Sequence, residues 1–145
     1  MILSIPWLVI IVVIYNLIAF TMSWEAATPD AVVPIAGPFS TELFSINMIS
    51  GARWALTLGD VVIVIALLLL FVELVKSTRT SSTSIIDHAL STILFILCMI
   101  EFLTVEYAAT SVFFIITVIT LIDVVAGFSI TIRAARRDLT MGGIH

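Results

Sequence analysis

The sequence predicts an all-α integral membrane protein: four transmembrane helices in an antiparallel bundle, with a short extracytoplasmic β-hairpin between helices 1 and 2. Three observations carry that expectation. Of 145 residues, 61% are apolar and only 11% are charged, against about 45–50% and about 25% in soluble domains. Mean hydropathy is +1.28. The apolar residues gather in four long runs, Ile5 to about Ser23, Val61–Val75, Ile85–Tyr107 and Val112–Ile132, and a bilayer core of about 30 Å takes roughly 20 helical residues. The same arithmetic excludes a water-soluble monomer, and so greasy a chain is not disordered. Six Lys+Arg against ten Asp+Glu, a net charge of -4, leave no basic stripe for nucleic acid. Cys98 is the only cysteine, so an internal disulfide and a Cys-based zinc site are both excluded.

The elements follow in order within one membrane domain covering residues 1–145. Helix 1 takes about 5–24, with Ser4 as cap and Pro6 in a first turn where its missing N–H costs nothing. This run lacks a basic n-region and exceeds the length of a signal-peptide core, so it reads as a retained span. The loop over 25–59 begins with turn-rich chain through Pro29, Pro34 and Gly37-Pro38. It then alternates: Phe44, Ile46 and Met48 face one way, and after Ser50-Gly51 the pattern resumes at Trp54, Leu56 and Leu58. That predicts a hairpin over 42–58 with Phe44, Ile46, Trp54 and Leu56 on a covered apolar face. A lone hairpin is marginal in water, so its expected role is a lid over the helix ends, with a docking edge for a partner strand as the alternative.

Helix 2 takes 60–76, capped by Asp60, and 13 of the 15 residues in Val61–Val75 are Val, Ile, Leu or Phe. A Ser/Thr linker fills 77–84. Helix 3 takes 85–107 after Ser84-Ile85-Ile86-Asp87, which has capping-box spacing. Helix 4 takes 111–133, capped by Thr110 or Ser111, and a tail closes the chain over 134–145. Lys76, Arg79, Arg133, Arg136 and Arg137 fall on one side of the predicted membrane and Arg53 on the other. Both termini are therefore expected in the cytoplasm, and size and short loops suggest a bacterial inner membrane. Trp24, Trp54 and Tyr107 mark the outer interface and Trp7 the inner one.

Charge inside a membrane span is the first place to look for function. Asp123 lies roughly 18 Å from one end of its helix and about 15 Å from Arg133. It shares a face with Thr120, Gly127 and Thr131, a ridge of small and polar residues of the kind that packs helices closely in lipid. The expected partner is Asn16 of helix 1, placed by its count from Ser4 at nearly the same depth. Glu101 is the second candidate, one turn from Cys98 and roughly 7–8 Å inside the boundary marked by Glu106. Asp60 and Asp87 are explained as caps, Glu73 as a helix-surface partner of Lys76, and His88 as a first-turn residue at the edge. Cys98 is expected to be inert.

No nucleophile–base pair, phosphate loop or metal-ligand spacing is visible, so neither an enzyme nor a cofactor is expected. The leading expectation is a small accessory or scaffold subunit of a larger membrane complex, because nearly all of the chain is consumed in building four spans. The alternative is a proton- or cation-coupled transporter or channel using Asp123 and Glu101. Expected partners are the lipid bilayer and either another membrane protein or a second copy of this chain.

Overall fold

A computed structural model of the chain describes residues 5–26, 37–78 and 84–141. Among them are α1 (Leu8–Ala26), strands β1 (Glu42–Asn47) and β2 (Arg53–Thr57), α2 (Leu58–Ser77), α3 (Ser84–Thr104) and α4 (Ser111–Met141). Single 3-10 turns at Pro38–Ser40 and Glu106–Ala108 complete the order. Three helical stretches are long and apolar enough to cross a membrane: Leu58–Ser77, Ile86–Thr104 and Ser111–Ile130. In α1 the described apolar stretch is Leu8–Thr21. The linker over 79–83, the Ser84 box, and the side chains of Trp24 and Thr131 lie outside the described residues.

Helices α1, α2 and α3 each bury only a narrow stripe. In α2 it is Gly59, Val62, Ala66, Leu70 and Glu73, a spacing of three and four that follows one face. In α1 it is Leu8, Ile11, Tyr15 and Ala19, and in α3, His88, Ser91, Leu94 and Cys98; α4 buries a broader face, with Phe113, Ile116, Thr117, Ile119, Thr120 and Asp123. Small and polar side chains point inward, while Leu68, Phe71 and Leu103 are 61%, 65% and 72% exposed. A water-soluble protein would hide the latter; helices packing in lipid use the former to approach one another. The longest contacts run from α4 to α3 and from α4 to α2, and α1 leans mainly on α2.

The hairpin forms as the alternation predicts. Phe44 pairs with Leu56 and Ile46 with Trp54 in an antiparallel ladder, with an irregularity between Glu42 and Phe44. Gly51 closes the turn at φ 84°, a left-handed conformation that other residues adopt only at a cost. Met48 N–H donates to Ala52 O at 2.8 Å, and Gly51 N–H donates to Met48 O at 2.9 Å. The expected cover is absent: Phe44 is 56%, Ile46 40% and Trp54 47% exposed. Among the described residues, the hairpin stands at the helix ends without laying its apolar face on another element.

Strand β2 runs straight into α2. Thr57 is the N-cap of α2 and Asp60 its third residue, each side chain bonding the other's backbone N–H. The sequence reading placed the cap at Asp60; the reciprocal box needs both. Thr110 caps α4 by accepting from Phe113 N–H at 3.1 Å. α4 continues as helix past Arg133 to Met141.

Two contacts pin α1. At the hairpin end, Tyr15 stacks flat on Phe39 at 4.3 Å and tilts against Phe113 at 4.7 Å. Its hydroxyl donates to Tyr107 O at 3.0 Å. That leaves Thr110 Oγ1, 2.6 Å away, as the donor to Tyr15. At the opposite end, Trp7 N–H donates to Glu73 at 3.0 Å.

Gly59 is where α2 comes closest to its neighbours. A Cβ there would lie 2.7 Å from Val112 Cγ2 and 2.9 Å from the backbone oxygen of Phe39. Val112 can turn away, but the Phe39 backbone cannot. Gly59→Ala is therefore expected to lower stability by about 1–3 kcal/mol, read as a lower thermal midpoint in detergent.

Candidate functional site

At the end away from the hairpin, five polar side chains from three helices meet. Glu73 is 3% exposed, His88 5%, Ser91 4% and Asp123 3%. Lys76 reaches in from the edge, its side chain 20% exposed. Glu73 lies four residues from the end of α2 and His88 four from the start of α3, so both sit about 6 Å inside their helix ends. Asp123 belongs to the same level because its neighbours do.

Glu73 carries two donors. Lys76 Nζ approaches one carboxylate oxygen at 3.1 Å, and Trp7 N–H donates to the other. That N–H belongs to the opening turn of α1, where backbone donors have no partner within the helix and the helix dipole favours a negative charge. Glu73 thus caps α1 from a different helix. The sequence reading had it as a surface partner of Lys76. The pair exists, but the carboxylate is buried. The stripe explains why: stepping back from Glu73 through Leu70, Ala66 and Val62 to Gly59 gives a ridge with small members, and that pattern was available in the sequence.

Asp123 has the Ser91 hydroxyl within hydrogen-bonding reach and feels the charges of Glu73, His88 and Lys76. Its partners come from α2 and α3. Asn16 is elsewhere: its side chain donates to Val12 O at 3.0 Å and lies near Glu101. Ser91 and Glu101 are ten residues apart on α3, which puts these two sites about 15 Å apart along the helix. The expected Asn16–Asp123 pair does not form: Asn16 neighbours Glu101 and Asp123 neighbours Ser91. Counting from Ser4 misplaced Asn16. Tyr15 beside it meets the α3–α4 connection, so α1 is shifted toward the hairpin end relative to its neighbours.

His88 packs its ring against Phe128 at 5.7 Å, and the ring lies over Gly127. A Cβ on Gly127 would come within 2.6 Å of His88 Cε1. Only glycine lets the imidazole sit so close to α4. His88 was read from the sequence as an edge residue; the three-residue step from His88 to Ser91, and on to Leu94 and Cys98, is the signal that turns it inward. Asp87 next to it has Oδ1 buried without a hydrogen-bond partner.

Glu101 is half-buried in the wall of a groove between α1 and α3, with a volume of about 480 Å³. Val9, Val12 and Val13 face Leu94, Leu97 and Cys98 across it. Among the described residues no three His, Cys, Asp or Glu side chains gather as metal ligands. The cluster around Asp123 instead joins two carboxylates, an imidazole and an ammonium. Carboxyl and imidazole groups are each able to take up or release a proton, and an ammonium beside them opposes a metal cation. Comparison with family models, curated proteins and solved structures yields no match.

The contact at Gly127 can be probed directly. Gly127→Leu is expected to displace His88 and lower the thermal midpoint in detergent, by about 1–3 kcal/mol of stability. Val125→Leu, at a position 57% exposed, should change it by less than about 0.5 kcal/mol.

Proposed function

We propose that this chain crosses the membrane four times as an antiparallel bundle and moves protons through Asp123, as a proton-coupled transporter or channel. The observation that carries the reading is the burial of Asp123, His88 and Glu73 together, from three helices, with Lys76 at their edge. Ionisable groups inside a span are expensive and mark proton or ion pathways. Glu73 and Lys76 neutralise each other as an ion pair at 3.1 Å. Asp123 and His88 beside them supply a carboxyl and an imidazole, and passing a proton between two such groups is the elementary step of a proton carrier. A structural Asp needs a single hydrogen-bonding neighbour; Ser91 is placed to be one, and His88 adds a second group able to take a proton.

The expected orientation has both termini and the Asp123 cluster toward the cytoplasm of a bacterial inner membrane. The distribution of Lys and Arg supports it.

A second reading, an accessory or scaffold subunit of a larger membrane complex, is supported by a different feature. The hairpin presents Phe44, Ile46 and Trp54 uncovered, a surface on which another membrane protein or a second copy of this chain can pack. Purification in mild detergent separates the two readings: a stable foreign partner lost on Phe44→Ser with Trp54→Ser favours the subunit.

The proton reading is tested in vesicles containing the purified protein, with a pH gradient imposed and a pH-sensitive dye inside. Asp123→Asn keeps a hydrogen-bonding group but cannot titrate, so proton flux is expected to fall to the level of Asp123→Leu while folding stays intact. Wild-type flux in the Asn variant would sink the proposal. Reporter fusions at His145 and within Ala31–Pro38 check the orientation: a reporter active only outside the cytoplasm should be silent at the first and active at the second.

A further inference from the structure

The seam between α3 and α4 carries polar groups along most of its length, and not only at Asp123. We infer that this seam is the proton path, running from Glu101 through Cys98 and Thr120 to Asp123 and His88. The inference rests on the proton-handling reading above and names the route.

The register of the two helices makes the case. At the hairpin end, Glu101 lies near Asn16 and opens on the groove between α1 and α3. One turn further along α3, Cys98 is fully buried near Thr120, itself buried on the facing helix α4. One turn further along α4, Asp123 meets Ser91 and feels His88. His88 in turn lies over Gly127. The helices run antiparallel, so the order 98, 91, 88 on α3 accompanies the order 120, 123, 127 on α4 and the polar groups follow one another along the seam. Glu101 to His88 is thirteen residues of α3, about 20 Å of the roughly 30 Å bilayer core.

The groups have suitable chemistry. A relay station must accept a proton on one side and release one on the other; hydroxyl, thiol, carboxyl and imidazole all do so. These groups are shielded from solvent at the middle of the seam: Cys98 and Thr120 are 0% and 1% exposed, and Thr117 beside them is 4%. Thr120 Oγ1 donates to Thr117 O at 2.7 Å, and Thr117 Oγ1 donates to Phe113 O at 2.9 Å. The hydroxyl lone pairs of Thr120 stay available to Cys98. Each step along the seam spans one helical turn or less, a gap that a hydroxyl rotation or one bridging water closes. The chain of stations has its narrowest point at Thr120, because no titrating carboxyl or imidazole lies between Glu101 and Asp123.

Thr120 is therefore the residue to change. In vesicles containing the full chain, Thr120→Val removes the hydroxyl at nearly constant shape and is expected to lower proton flux by about tenfold or more, the scale of losing a positioned proton-transfer group. Thr120→Ser restores the hydroxyl and should restore flux. Thermal midpoints in detergent separate relay from folding, since a packing role would move stability and leave the Ser variant no better. Glu101→Gln is the second variant. It keeps the shape and hydrogen-bonding capacity of the side chain but cannot titrate, and flux should again fall by about tenfold. If Asp123→Asn abolishes flux while a folded Thr120→Val or Glu101→Gln conducts like wild type, the seam is overturned and the role of Asp123 stands. Should Asp123→Asn itself conduct normally, the earlier reading falls and the route falls with it.

Discussion

The Glu73 carboxylate has given up water for two donors, and the end of the fold away from the hairpin is arranged around that substitution. A buried carboxylate is tolerated only when opposite charge and hydrogen bonds compensate for lost hydration. Lys76 brings the charge from one turn away on α2. Trp7 brings an N–H that the start of α1 cannot use within its own helix. The pairing therefore fixes two things together: the charge balance of the cluster and the axial position of α1. Removing Glu73 would orphan the ammonium and the N–H at once.

The seam between α3 and α4 follows the same logic at lower charge. Thr117 and Thr120 satisfy their hydroxyl donors on carbonyls of their own helix, three or four residues back. They thus enter the interior without demanding a partner elsewhere. Their remaining lone pairs face the neighbouring helix. Gly127 and Gly59 do related work by omission, letting a ring and a backbone come within reach of their helices.

Much of this was readable in the sequence, for identifiable reasons. The three long apolar helices announced themselves by length and density. The alternation at Phe44, Ile46, Trp54 and Leu56 fixed strand pairing because a period of two admits few registers. Glu73, His88 and the partner of Asn16 were misjudged. In α2 nearly every position is apolar, so hydrophobicity does not reveal which face turns inward; only the small residues Gly59 and Ala66 do. His88 sits near a helix start, where a polar residue ordinarily needs no explanation. Asn16 was assigned a depth on the assumption that all helices begin at one level. The axial shift of α1 depends on Tyr15 reaching Thr110 and Trp7 reaching Glu73, contacts separated by 95 and 66 residues. No local pattern encodes them.

The displacement of α1 bears on the hairpin. Tyr15 meets the α3–α4 connection, and α1 then continues for eleven more residues to Ala26, about 16 Å of helix. Its apolar side chains Leu17 and Phe20 are 59% and 58% exposed. A bilayer that ended at the α3–α4 connection would leave them in water. Lipid accommodates such mismatch by thickening locally around the longer element or by letting it tilt. If the headgroup layer rises along α1, the hairpin lies within it rather than above it. Trp54 and Phe44 would then rest among glycerol and acyl-chain ends, and the Arg53–Glu42 pair at 2.7 Å would sit among phosphates. A two-stranded ribbon that is marginal in water acquires at that depth the apolar support that the other described elements do not provide.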